Sequence, residues 1–330
     1  MLEMDALTDQ MGNAHLNDTP NEPECLPFFP PEHMEISLDS VPRFLFRIAT
    51  PFSDGETNET WVHSQSASED APLSKEDIFT NLSPQRREDV AGTLNKHLRW
   101  WPKDGPEDNF VSWTSSLLFA LRYIYYRYSS SKDGSSLEDI KLCVVDTTRF
   151  PRGTFVCDLD LIEAFRHFNR YHSPGRDLEN LQRMRKRDYY FGEYLSQGSL
   201  KVAGKCQIVS ADVFFDGDRL HHVQPLFERI AHVPRNIDAT WANVVRRDRE
   251  AIWTNPQPSE HLFRPMMAVD EIAAKFGPEW KFPMAVYLAA LVTQARKPDD
   301  GEQPADDNDL FMYFRSYPSG LRPVSYLNFA

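Results

Sequence analysis

Short apolar runs and helical patterns follow one another between about residues 40 and 235, and this succession predicts a mixed α+β domain. In residues 44–49 (FLFRIA), apolar side chains alternate from one face to the other, and Arg47 stands among them. Alternation of this kind is typical of a strand. The other predicted strands are residues 109–113, 141–146, 154–157, 199–202 and 207–215.

A helix is predicted directly after the second of these strands. Apolar residues recur there at three- and four-residue intervals from Leu117 to Tyr128, and Ser115 or Ser116 can cap the first turn. Further helical patterns are one or two short helices in residues 75–98, then residues 158–170, 237–254, 269–276 and 284–295.

These elements divide the chain into three predicted parts. Residues 1–38 are polar and rich in proline, which predicts a mobile arm. Residues 39–235 contain the predicted strands and form the α+β domain. Residues 236–330 are mainly helical, and we expect them to pack on that domain; their last segment, residues 310–330, regains aromatic side chains.

The composition excludes some classes of function. A net charge of −13 disfavours general nucleic-acid binding, which relies on clustered Lys and Arg. The four cysteines show no C-x-x-C spacing, which favours free thiols, and we expect a cytoplasmic or nuclear protein because no signal peptide is seen. The longest apolar run, MAVYLAALV, is far shorter than the roughly 20 residues that cross a bilayer, so no membrane span is expected.

Three unusual positions carry candidate chemistry. Arg47 lies inside an apolar strand, where its guanidinium suits a diphosphate or, alternatively, a salt bridge at the sheet rim. The hydroxyls that begin with Ser112 and Thr114 can orient a sugar, or they can serve only as turn and cap groups. Glu193, in the aromatic segment YYFGEYLSQG, can stabilise a positive oxocarbenium-like centre, or it can be a solvated loop carboxylate.

In this order, the three segments resemble the Arg-Ser-Glu class of ADP-ribosyltransferases, the cholera-toxin-like group. The matching residues are Arg47 in LFRIA, Ser112 in FVSWTSSLLFAL and Glu193 in FGEYLSQGSL. The chain also resembles a family of uncharacterised fungal proteins with LFR, F-x-S-W-T-S-S and GEYL motifs over roughly residues 42–215. The resemblance implies a mainly antiparallel split sheet with flanking helices and an NAD-dependent mono-ADP-ribosyltransferase or NAD glycohydrolase that needs no metal.

The same resemblance implies the role of each residue. Arg47, with Thr114, would bind NAD, Ser112 would position the ribose and Glu193, and Glu193 would stabilise the oxocarbenium. Two positions depart from the pattern: Trp113 stands where the toxins have threonine, and Phe191 stands where arginine-modifying members have glutamate or glutamine. The acceptor therefore stays open, and the alternative is a catalytically inactive binding module with the same fold.

Other chemistry is less well supported by the sequence. His221 and His222 follow two aspartates in FFDGDRLHH, but their spacing fits no established metal site. The glycine-rich nucleotide-binding loops and the G-x-S-x-G elbow are absent from the sequence. Tyr123, Tyr125 or Tyr126 could stack on nicotinamide, although an aromatic helix face is more often part of a core.

Overall fold

The computed structural model describes residues 23–102, 107–169, 175–235, 241–254 and 262–292. Nine strands lie within these ranges and form two sheets. They are β1 Phe44–Ala49, β2 Glu56–Thr57, β3 Trp61–His63, β4 Phe110–Thr114, β5 Lys141–Asp146, β6 Val156–Cys157, β7 Glu193–Gln197, β8 Ser199–Lys201 and β9 Cys206–Ser210.

The larger sheet has six strands in the order β6-β7-β4-β1-β5-β9, and the smaller has three in the order β2-β3-β8. Every neighbouring pair in both sheets is antiparallel. Together with the flanking helices, this arrangement confirms the α+β class and the mainly antiparallel sheet that the sequence predicts.

The larger sheet is split between β1 and β4. These two strands share one registered pair, Phe46 with Thr114. By contrast, β1 pairs with β5 at six positions, and β4 pairs with β7 at five. Because the backbone groups of β1 and β4 part on either side of Phe46–Thr114, other groups must satisfy their hydrogen bonds there.

Helices and short helical turns connect and cover the strands. Within the described residues the α-helices are α1 Gln65–Ser68, α2 Pro84–Arg99, α3 Leu117–Ser129, α4 Asp158–Phe165, α5 Leu178–Met184, α6 Asp212–Phe215, α7 Arg219–Val223, α8 Trp241–Thr254, α9 Phe263–Ala273 and α10 Pro278–Val292. A π-helical turn, Arg185–Tyr189, follows α5 and leads toward β7. Turns of this kind are frequent at functional sites.

The buried apolar residues form three clusters. The first packs α3 and the C-terminal helices on one half of the larger sheet, through Phe44, Phe46 and Ile48 of β1. The second packs α2, α4 and α5 on the other half of the same face. The third lies between the two sheets and includes Leu45 and Trp113. The boundary between the two helix-side clusters therefore follows the split in the sheet.

The C-terminal helices share the first cluster with the strands. On α10, Leu288 is buried, and Tyr287 makes edge-on ring contacts with Phe44 and Phe46 of β1. A buried ion pair between Arg122 of α3 and Asp248 of α8 adds a polar link. One core thus runs across the predicted boundary at residues 235 and 236.

Two other stretches differ from the sequence prediction. In the predicted arm, residues 1–22 lie outside the described residues, but Phe28 is buried against Phe79, and Leu26 bridges to Gln197. This part of the arm packs on the domain because it carries apolar side chains. The strand predicted for residues 207–215 ends at Ser210, and the helical turn that follows buries both Phe214 and Phe215.

Three further predictions concern the cysteines, membrane-spanning helices and the aromatic C-terminal segment. All four cysteines are free, as the spacing predicted. In the part of the chain that the structure describes, no helix is both long and apolar enough to cross a membrane. The aromatic segment predicted for residues 310–330 lies outside the described residues.

We expect Leu288→Ala to lower the free energy of unfolding by about 2–5 kcal/mol, because it opens a cavity in the shared first cluster. Chemical denaturation followed by near- and far-ultraviolet circular dichroism should show one cooperative transition for both proteins. Met267→Ala on α9, where the side chain is exposed, is the matched control and should change little. Two separate transitions in the wild type would contradict a core common to strands and C-terminal helices.

Candidate functional site

Arg47 lies on β1 beside the split. Its Nε donates a hydrogen bond to Thr57 Oγ1 of the smaller sheet at 3.0 Å, and its Nη1 donates to the Ser112 carbonyl at 3.2 Å. Among the described residues no carboxylate forms an ion pair with it, and burial lowers the pKa of this guanidinium. Asp54 is the one described carboxylate whose charge acts on this guanidinium, and the direct hydrogen bonds of Arg47 go to neutral oxygens, so Arg47 can bind an anionic ligand.

Ser112 on β4 connects Arg47 to Glu193 on β7. The Ser112 hydroxyl lies 2.8 Å from Glu193 Oε1 and donates to it. Since β7, β4 and β1 are adjacent in the sheet, the three residues predicted from separate segments form one continuous set of contacts. The structure therefore brings Arg47, Ser112 and Glu193 together.

The side chains nevertheless reach the split from opposite faces. Arg47 alternates with Phe46 and Ile48, and its registered partner Cys143 belongs to the cluster between the sheets. Ser112 and Glu193 instead alternate with residues of that cluster, so they lie on the helix side. A ligand that contacts all three side chains would have to reach both faces of the sheet.

The hydroxyl-bearing residues that follow Ser112 bind the backbone directly before β7. Thr114 Oγ1 donates to the Phe191 carbonyl at 2.6 Å and is buried, so the predicted cofactor-binding hydroxyl is already engaged. The Ser115 backbone N–H donates to the Gly192 carbonyl at 2.8 Å. Ser116 caps α3, as the sequence predicted. These contacts place Glu193 at the first position of β7.

Two further charged residues surround Glu193, and the sequence analysis did not identify them. Arg185, on the π-helical turn, donates through Nη2 to Glu193 Oε2, and its Nε lies 3.2 Å from Asp158 Oδ2. One guanidinium thus serves two buried carboxylates. Burial is the main cause that raises the pKa of Asp158 to about 7, and the charge of Glu193 adds to it.

His97 and Asp108 complete the network on the other side of Ser112. His97 Nε2 lies 2.8 Å from Ser112 Oγ, and His97 Nδ1 lies 2.7 Å from Asp108 Oδ2. In the sequence, His97 falls on the helical stripe of Val90, Leu94 and Leu98. A histidine within an apolar stripe was the available signal, whereas nothing in the sequence pairs it with Ser112.

An aromatic cluster borders the site on the helix side. Phe191 is buried and packs against Phe119 and Trp241, with ring centroids 5.2 and 6.3 Å apart. Trp241 also stacks on the partly exposed Trp100, at 4.8 Å between centroids. Tyr123 and Tyr126 belong to this cluster.

Tyr125 lies apart from the aromatic cluster and packs against Phe215 and Phe227. It therefore does not stack on a ligand at the split.

The histidines considered for a metal have other partners. His221 Nδ1 lies 2.8 Å from the Phe227 carbonyl, and His222 Nε2 lies 2.9 Å from Arg264 Nη2. Across the residues that the structure describes, no group of three or more His, Cys, Asp or Glu side chains is arranged to hold a metal ion.

Gly192→Ala should displace Glu193. Gly192 has φ of +66°, and an added Cβ would lie 2.0 Å from Ser115 Oγ. We expect a loss of stability of roughly 2–4 kcal/mol, from the left-handed backbone together with the clash. Gly204→Ala is the matched control, because Gly204 also has positive φ but open space around it. Equal losses in urea denaturation would show that the contact with Ser115 does not constrain the loop.

Asp158→Asn should change how stability depends on pH. The pKa of Asp158 is raised from 3.8 to about 7 in the folded state, so the folded protein binds this proton more tightly than the unfolded chain does. The resulting contribution to the free energy of unfolding is fully present below about pH 4 and is lost as pH rises through 7. The wild type should therefore lose on the order of 3 kcal/mol relative to Asp158→Asn over this range. Urea denaturation at several pH values measures it, with Asp89→Asn on the exposed face of α2 as control. A difference independent of pH would contradict a proton on Asp158.

Comparison with known proteins finds a match to one family model, and no activity is known for that family. Residues 40–202, just under half of the chain, match a family model described as a domain of unknown function, DUF7587. No curated protein and no solved structure matches the chain. The matched range contains Arg47, Ser112 and Glu193 as well as the charged residues around them, so the whole network lies inside the matched range.

Proposed function

We propose that this protein cleaves the nicotinamide–ribose bond of NAD, as an NAD glycohydrolase or a mono-ADP-ribosyltransferase. The observation that carries the proposal is the set of contacts from Arg47 through Ser112 to Glu193 on three adjacent strands at the split. The order of the three residues along the chain is that of the Arg-Ser-Glu class of ADP-ribosyltransferases, which the sequence resembles.

Each residue has a role that its environment supports. The Arg47 guanidinium, whose hydrogen bonds go to the Thr57 hydroxyl and the Ser112 carbonyl, would bind the diphosphate. Ser112 would hold the Glu193 carboxylate in place through the hydrogen bond to Oε1. As the bond to nicotinamide breaks and nicotinamide leaves with the electron pair, positive charge develops on the ribose, and Glu193 would stabilise it.

Phe191 indicates which acceptor could receive the ADP-ribose group. The position two residues before the glutamate, which holds a glutamate or glutamine in arginine-modifying members of the class, is here a buried aromatic side chain. This position therefore offers no carboxylate or amide to bind a guanidinium substrate. The arrangement supports transfer to water or to an acceptor other than arginine. Trp113, the other departure, packs between the sheets against Phe155 and faces away from Glu193.

The second candidate is a binding module that does not cleave NAD, and one observation favours it. Both oxygens of the Glu193 carboxylate already have partners, the Ser112 hydroxyl and the Arg185 guanidinium. Catalysis would require the ribose to compete with Arg185 for the carboxylate. If it cannot, the same residues would bind the nucleotide without cleaving it.

Incubation with NAD labelled in the nicotinamide ring tests the proposal. The wild-type protein should release nicotinamide, and Glu193→Gln should lower the rate about a hundredfold or more, because the charge that stabilises the oxocarbenium is lost. Arg47→Lys should raise KM more than it lowers kcat, since a lysine cannot replace the bidentate fork. Glu179→Gln, at an exposed carboxylate on α5, is the matched control and should behave like the wild type.

Thermal denaturation with increasing NAD separates the two candidates. A ligand that binds only the folded state raises the melting temperature by mass action. A rise in melting temperature without nicotinamide release would favour the binding module. Neither binding nor release would overturn both candidates.

A further inference from the structure

Asp108, His97, Ser112 and Glu193 form one chain of three hydrogen bonds. The three heavy-atom distances are 2.7, 2.8 and 2.8 Å. The side chains are largely shielded from solvent, with exposed fractions of 10% for His97, 2% for Asp108 and 12% for Glu193. Exchange of these hydrogen bonds for water is therefore limited.

The number of hydrogens in this chain determines its protonation. Three hydrogen bonds need three hydrogens, but the serine hydroxyl and a neutral imidazole supply only one each. The third must be an additional proton on Asp108, His97 or Glu193. The arrangement cannot be satisfied with both carboxylates ionised and the histidine neutral.

The surrounding groups assign this proton to His97. Glu193 Oε2 accepts a charge-assisted hydrogen bond from Arg185, and Asp108 Oδ1 accepts the Phe110 backbone N–H at 3.0 Å. Both contacts favour an ionised carboxylate. An imidazole also binds a proton more tightly than a carboxylate does in water. Among the described residues, Arg185, paired with Asp158, contacts Glu193, and Arg47 donates to the Ser112 carbonyl.

We propose that His97 is a positioning residue that acts on Glu193 through Ser112. As an imidazolium, His97 donates its Nε2 hydrogen to Ser112 Oγ, so the serine hydroxyl can donate only to Glu193. Asp108 orients the ring through Nδ1. The imidazolium thereby keeps Glu193 ionised and directed. The catalytic meaning of this role rests on the proposed function, whereas the protonation state does not.

A different use of the same residues is excluded by charge. Ser112, His97 and Asp108 have the hydrogen-bond order of a serine nucleophile with its base and orienting acid. In such a site the serine proton must pass to the histidine, but here Glu193 accepts it at 2.8 Å. A carboxylate at that distance also opposes the oxyanion that would form beside the serine.

The first test measures the protonation of His97 without any substrate. Nitrogen-15 NMR of the histidine rings in the full chain distinguishes singly from doubly protonated imidazole, and the signal missing in His97→Gln identifies His97. From the hydrogen-bond geometry we expect both ring nitrogens to carry a hydrogen at pH 7.5. A neutral ring at pH 7.5 would overturn the proposal, whatever the activity.

The second test measures nicotinamide release by two variants. His97→Phe keeps a ring but no donor, and we expect a ten- to hundredfold loss, the scale typical of outer residues that orient a functional group. His97→Gln keeps an N–H donor and should recover part of the rate. Wild-type release should decline at high pH, where an imidazolium cannot persist, whereas release by His97→Gln should not show that decline.

The outcomes separate the two hypotheses. Equal rates for wild type, His97→Phe and His97→Gln would overturn the positioning role, as would labelling of Ser112 by a fluorophosphonate. If His97 is doubly protonated but the wild type releases no nicotinamide, the proposed function fails while the assigned protonation stands. Where His97→Phe does not fold, the NMR result on the wild type and the pH profile of His97→Gln still decide the question.

Discussion

The site depends on one constraint in the larger sheet: strands β1 and β4 pair at a single position, Phe46 with Thr114. Continuous pairing would use the Ser112 carbonyl in the sheet, as β4 does on its other side with β7. The split leaves that carbonyl free to accept from Arg47. Arg47 thereby contacts the backbone of Ser112, although its side chain lies on the other face of the sheet from the Ser112 hydroxyl.

Charge balance explains why so many ionisable groups can be buried beside the split. Beside Asp158, whose pKa burial raises to about 7, the ionised groups are Arg185, Glu193 and Asp108, together with His97 as an imidazolium. These amount to two positive and two negative charges in direct contact. Each charge also has hydrogen-bond partners, which buried charges require. Removing one member would leave its neighbour buried and uncompensated, so the network is expected to respond as a unit.

The local elements were largely predictable, because they follow from periodicity within short windows. The strands at residues 44–49 and 141–146, and the Ser116 cap, lie where the alternation and the hydroxyl placed them. The partners of Glu193 were not predictable in this way. In the sequence, Arg185 is one of several basic residues in 183–187, and a π-helical turn rather than sequence spacing directs it at Glu193. His97 lies on a helix that precedes β4, and a single sequence contains no information on which strand that helix covers.

The C-terminal helices contribute to the site through the backbone that precedes β7. Arg249 of α8 donates to the carbonyls of Asp188 and Tyr190 at 2.9 and 3.1 Å, and Asn243 accepts from the Tyr189 hydroxyl. Asp188 and Tyr189 belong to the π-helical turn, which carries Arg185, and Tyr190 lies between this turn and strand β7, which carries Glu193. Because α8 is itself held to α3 by the buried Arg122–Asp248 pair, its position is coupled to the core. The described part of the helical region therefore supports the geometry between Arg185 and Glu193, and none of its described side chains belongs to the network itself.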